Sequence, residues 1–91
     1  MGAGAGIDLR TSQRVVCHGR VRLSRGDSGR ETIGEMVDVS AGGFRVCHDD
    51  PDLEPGAEIR FEHLFFVGRA RVVWTNRLAG RMHSGFQVLV A

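Results

Sequence analysis

The run Val15-Val16-Cys17-His18-Gly19-Arg20-Val21-Arg22-Leu23 sets apolar Val15, Cys17, Val21 and Leu23 against polar His18, Arg20 and Arg22. Successive side chains of an extended chain point to opposite faces, so a period of two reads as a strand with one buried face. Working outward, the same pattern returns several times. Ser24–Gly29 is a turn, and residues 30–39 place Ile33, Val37 and Val39 on one face. Phe44 and Val46 begin another strand, and residues 48–56 form a loop dense in Asp, Pro and Gly. Ile59 and Phe61 alternate with Glu58, Arg60 and Glu62; Ala70, Val72 and Trp74 alternate with Arg69, Arg71 and Val73. A turn near 78–80 leads to Met82, Phe86, Val88 and Val90. Trp74 and the phenylalanines read as core. Nowhere do apolar residues recur at helical spacing without a breaker, so the chain is all-β with no long helix. About six short strands gain most by closing on themselves, because closure removes exposed edges, and this predicts a barrel.

A length of 91 residues fits one domain, with 1–7 a flexible Gly/Ala-rich start and 8–91 the folded unit. Hydrophobic residues make up 42% and charged residues 25%, a soluble globular composition. The formal charge of +1 hides an uneven distribution: +3 over residues 1–22, −5 over 49–62 and +4 over 64–91. All 12 basic residues are Arg. GC-rich coding favours that choice, but Arg also offers a planar fork for phosphate or a guanine edge. No signal peptide or long apolar run is present, so the expected setting is the reducing cytoplasm, without membrane insertion. Cys17-His18 and Cys47-His48 invite a metal reading. Neighbours on a strand face opposite ways, however, so these are expected to be structural thiols and no metal is expected.

Two features stand apart from the strands. Arg10 and Arg14 are four residues apart, ~13 Å in extended chain with both on one side, or neighbours in a helical turn. Two such forks can converge on one ligand with anionic and guanine-like features. Asp38 and Ser40 put a carboxylate and a hydroxyl on the same face beside Gly42 and Gly43. Asp38 can accept from the N–H donors of a guanine edge, Ser40 can bond phosphate or base, and Gly43 removes a side chain that would block close approach.

In this order and separation the residues resemble a known family, the PilZ domain, a bacterial receptor module for cyclic di-GMP. Arg10 to Arg14 matches its RxxxR motif, and Asp38, Ser40 and Gly43 match its [D/N]xSxxG motif. Val72-Val73-Trp74 and Gly85-Phe86 are weaker agreements, and the likeness runs over roughly residues 9–90. The resemblance implies a six-stranded antiparallel β-barrel that binds cyclic di-GMP and uses no other cofactor. It implies that Arg10 and Arg14 clamp the ligand from a mobile loop, that Asp38 and Ser40 hold a guanine edge, and that Gly43 leaves room. Many members carry a further Arg where this chain has Leu9, so one nucleotide per domain is expected. Without an output domain or a C-terminal helix, the chain resembles a stand-alone adaptor acting on an effector protein, with weak self-association one way to cover the barrel end.

Three other readings compete. A PilZ-like adaptor that does not bind nucleotide would be expected to lose the motif residues, and all five are present. A small barrel for RNA or single-stranded DNA needs aromatic platforms interleaved with basic residues, and here there is no Tyr, so no nucleic-acid partner is expected. An enzyme is not expected and no catalytic residue is assigned. His63, His83 and Ser84 form no recognisable constellation, and the GxSxG elbow, phosphate loop and paired-His metal motif are absent.

Overall fold

The computed structural model describes residues 13–26 and 28–90. The expected boundary at residue 7, and Arg10, lie outside the described residues. The strands are β1 (Val15–Val16), β2 (Arg20–Ser24), β3 (Glu31–Ser40), β4 (Gly43–His48), β5 (Glu58–His63), β6 (Val67–Leu78) and β7 (Arg81–Val90). All pairings are antiparallel, in the order β3-β2-β5-β6-β7-β4, and β4 pairs back onto β3 to close a ring of six. This is the six-stranded barrel, and β1 adds two residues beside the end of β3. Among the described residues no helix is long and apolar enough to cross a membrane.

Alternation fills the interior. Val21 and Leu23, Phe44 and Val46, Ile59 and Phe61, Ala70 and Val72, and Phe86 all point inward and are buried. Phe44 stacks on Phe86 at 4.9 Å between centroids and tilts against Phe61 at 4.8 Å. One end of the barrel is plugged by Leu53 from the loop after β4, which is 1% exposed. A directional chain of hydrogen bonds holds that plug. The Asp50 N–H donates to His48 Nδ1 (3.0 Å), so His48 Nε2 carries the proton and donates to Ser84 Oγ (2.7 Å). Ser84 donates to Thr75 Oγ1 (2.7 Å), and Thr75 donates to the Leu53 carbonyl (2.8 Å).

The structure corrects the period-two pattern in three places. On β3 the inward residues are Gly34 and Met36, while Ile33 is 51% exposed. A bulge at Val37, where Met36 pairs with Val46 but Asp38 already pairs with Arg45, then inverts the alternation. Val39 turns inward opposite Phe44, and Asp38 outward opposite Arg45. A second bulge, at Val73, does the same on β6, so Trp74 lies on the outer face opposite Gly85 and is not core. Val15 is exposed because the first run breaks at Cys17–Gly19, where Gly19 takes a φ of 121°. That break leaves β1 at the end of the sheet order with β3 as its partner. In the acidic stretch after β4, Asp50 is buried.

Candidate functional site

Asp38 is the centre of the site. The Val37 bulge sends its carboxylate to the outer face, yet it is nearly buried because two guanidinium groups cover it. Arg45, its cross-strand partner on β4, donates Nε–H to both carboxylate oxygens (2.9 and 3.0 Å) and completes a fork through its second nitrogen. Arg14 comes from the other side. Val15 pairs with Val39, which brings Arg14 level with Ser40. Its Nε and one terminal nitrogen each lie 2.9 Å from Asp38 Oδ1, and the other terminal nitrogen lies 3.4 Å from Ser40 Oγ. The hydrogen bonds from Arg45, opposed by burial and reinforced by Arg14, hold the Asp38 carboxyl down at about 2. It is therefore a fixed acceptor at any physiological pH.

Ser40 closes β3, with its hydroxyl 3.5 Å from the Gly43 carbonyl across the turn. The space at Gly43 is taken by the chain itself: a Cβ there would run into the carbonyl oxygen of Phe86 on β7. The demand for glycine thus comes from the close approach of β4 and β7, and the open position in the turn is Gly42, where a Cβ would meet nothing within 4 Å.

The register extends the site across four strands. Asp38 pairs with Arg45, Arg45 with Gly85, and Gly85 with Trp74. Gly85 is buried under the indole, and a Cβ would collide with the Trp74 ring. Between the indole and the two guanidinium groups lies a shallow depression of about 120 Å³, lined by Arg14, Arg45, Trp74 and Gly85 among others. A planar aromatic face, two forks and a carboxylate that only accepts are thus presented together on one surface. They can hold a flat heterocycle with N–H donors on one edge and an anionic group beside it.

The structure brings together Arg14, Asp38 and Ser40 of the sequence-predicted residues, with Gly43 at the turn beneath them; Arg10 lies outside the described residues. Two residues were missed, Arg45 and Trp74. The outward position of Arg45 between Phe44 and Val46 was readable, but pairing it with Asp38 requires the Val37 bulge. The consecutive apolar residues Met36-Val37 and Val72-Val73-Trp74, which break strict alternation, were the available signal for both bulges. Cys17 and Cys47 are free and half-buried, and Cys47 faces outward while His48 is buried. Among the described residues no group of three or more His, Cys, Asp or Glu is placed to hold a metal ion.

The family model for the PilZ domain matches residues 8–90, nearly the whole chain. The chain belongs to the PilZ domain family. PilZ domains form a family of cyclic di-GMP receptors, which work by binding a ligand and typically act with effector proteins; the family is not one of known enzymes. A search of curated proteins finds no match to the chain. The closed barrel described above is the PilZ fold, with the Arg14–Asp38–Ser40 cluster on its outer wall.

Proposed function

We propose that this PilZ domain binds one cyclic di-GMP per chain, through Arg10 and Arg14 from the N-terminal segment and Asp38, Ser40 and the Gly43 turn on the barrel. Arg45 and Trp74 complete the site. The observation that carries this reading is the clustering of Arg14, Asp38 and Ser40, with Arg14 far from the other two in sequence, in one hydrogen-bonded group beside the half-buried Trp74 indole.

The geometry supports an exchange of partners. Arg14 rests on Asp38 and Ser40. A phosphate diester or a guanine O6/N7 edge offers its fork a charged or bidentate partner of comparable strength, so Arg14 can leave Asp38 at little net loss. Arg45 stays, holding the carboxylate ionised and oriented. Asp38 is then free to accept the N1–H and N2–H donors of a guanine, while Trp74 and the Arg45 plane give the base a face to stack on. Because Arg14 immediately precedes β1, its movement would alter the surface offered beside β1. An effector protein that reads this surface would receive the signal, the role of an adaptor.

The test is calorimetric titration with cyclic di-GMP, GTP and a short oligonucleotide, repeated on Arg14→Ala and Asp38→Ala. Expected are one cyclic dinucleotide per chain and, for each variant, a loss of about 1.5–3 kcal/mol, the scale of a hydrogen bond to a charged group. Undiminished binding by both variants refutes the site. A stoichiometry of two per chain refutes the single-nucleotide reading.

A further inference from the structure

Among the described residues, the end of the barrel opposite Leu53 is apolar and uncovered. There β5 and β6 join through a turn that displays Leu64 at 84% and Phe65 at 74% exposure. The turn is firmly built. His63 and Phe66 exchange backbone hydrogen bonds of 2.7 and 3.3 Å, and the Phe65 N–H donates to His63 Nδ1 at 3.2 Å. The Phe66 ring stacks on His63 at 5.4 Å, and the buried His63 donates Nε2–H to the His18 carbonyl at 3.0 Å. Beside this tip lies a cleft of about 450 Å³ between the hairpin and the Ser40–Gly43 turn, with Phe44 and Phe61 at its base and Val39 and Val88 in its wall. Val15, paired with Val39 and itself exposed, continues the apolar surface onto β1.

We propose that this end of the barrel is a homodimer interface, in which two copies related by a twofold axis each seat the Leu64–Phe65 tip in the other's cleft. A protruding tip and a receiving cleft lie on the same face, which is the self-complementarity an isologous contact requires. None of the described side chains lining the cleft is charged, so two identical faces meet there without like-charge repulsion. The area is also sufficient. Leu64, Phe65, Phe66, Val67 and Val15 expose on the order of 600 Å² per copy, which reaches the lower end, ~600 Å² per partner, of specific interfaces and fits a reversible dimer. Because the tip is already held by His63, little freedom is lost on docking. Ser40 and Gly43 line this cleft and also belong to the proposed ligand site, but Asp38, Arg45 and Trp74 take no part in it, and the tip and cleft would pair whether or not the ligand binds.

Sedimentation equilibrium of the full chain over about 1 µM to 1 mM tests it. The expected result is a reversible monomer–dimer equilibrium in which Phe65→Ser raises the dimer Kd at least tenfold, on the scale of an interface anchor. Leu64→Asp, at the most exposed position, is the second variant, and both should keep the wild-type circular-dichroism melt because neither side chain is buried. A chain that stays monomeric throughout overturns the proposal, as does a dimer that both substitutions leave intact.

Discussion

Two aspartates are buried, Asp38 near the end of β3 and Asp50 in the loop after β4, against the start of β3, and each faces a pair of arginines. Asp50 lies against Arg25 (3.3 Å) and Arg30 (3.8 Å), Asp38 against Arg14 and Arg45. What differs is the remaining company. Asp50 also accepts from the Thr32 hydroxyl (2.7 Å) and the Asp52 N–H (2.9 Å), while its own N–H is tied to His48. Burial pushes its carboxyl up, but those hydrogen bonds and the two arginines outweigh it and leave it lowered. Asp38 is held by guanidinium groups alone, each on a long side chain about 40% exposed. A carboxylate held by backbone and a short hydroxyl cannot exchange partners without loosening its loop. One held by flexible, hydrated arginines can. The similar ion pairs therefore differ in what they permit: a fixed anchor under the Leu53 plug and, in the proposed function, an exchangeable acceptor on the wall.

The sharpest way to break that comparison is to truncate both aspartates. Asp50→Ala leaves the largely buried Arg25 and the Thr32 hydroxyl without their acceptor and should lower unfolding stability by about 3 kcal/mol in urea, the scale for breaking a buried pair. Ligand affinity of the molecules that remain folded should be unchanged. Asp38→Ala should show the reverse, with the binding loss given above and a stability loss of about 1 kcal/mol or less, because Arg14 and Arg45 can turn to water. Equal stability losses for the two variants would erase the distinction.

A smaller effect is expected at the far end of the site. Trp74→Ala should weaken cyclic di-GMP binding by about 1–2 kcal/mol, the lower part of the range for a base on an aromatic platform. Since Trp74 is the chain's single tryptophan, its fluorescence should change on titration of the wild-type protein. No fluorescence change together with undiminished affinity of the variant would remove Trp74 from the site.

A last effect separates the two ends by pH. Burial lowers the pKa of His48, with Asp50 and Asp49 opposing, below its ordinary value of 6.5. A histidine lowered in the folded state contributes stability that is fully present above that value and declines as pH falls below it, because the unfolded chain takes up the proton first. Melting between pH 7.5 and 5 should therefore show a decline of up to ~1.4 kcal/mol per pH unit, absent in His48→Gln, whose reference stability will itself be lower. Asp38, held at about 2, stays ionised over this window, and any stability it adds is lost only as pH falls from 3.8 toward 2. Ligand affinity should thus stay level from pH 7.5 to 5 apart from the fraction unfolded.

Much of this molecule was legible from its residues. Val21 and Leu23 on β2, Phe44 and Val46 on β4, and Ile59 and Phe61 on β5 obey strict alternation, because a side chain at every second position must face the same way. The PilZ motifs likewise announced Arg14, Asp38 and Ser40 as a group, since motif spacing survives whatever path the chain takes between them. The directions of Val37, Val39, Val73 and Trp74 were not legible in the same way. Each depends on a bulge, and a bulge is defined by the partner strand, where two residues face one across the ladder. Asp38 owes its outward aim to β4, and Trp74 owes its place over Gly85 to β7. Arg45 was an ordinary outward arginine until β3 was laid beside it, and Phe65 was an ordinary core candidate until the hairpin set it beyond the barrel's rim. The sequence by itself determined the strand period, the closed all-β class and the motif residues, all properties of neighbours along the chain. Only the tertiary structure decided which face each residue reaches after a bulge and what it meets there, because those follow from pairing with strands far away in sequence.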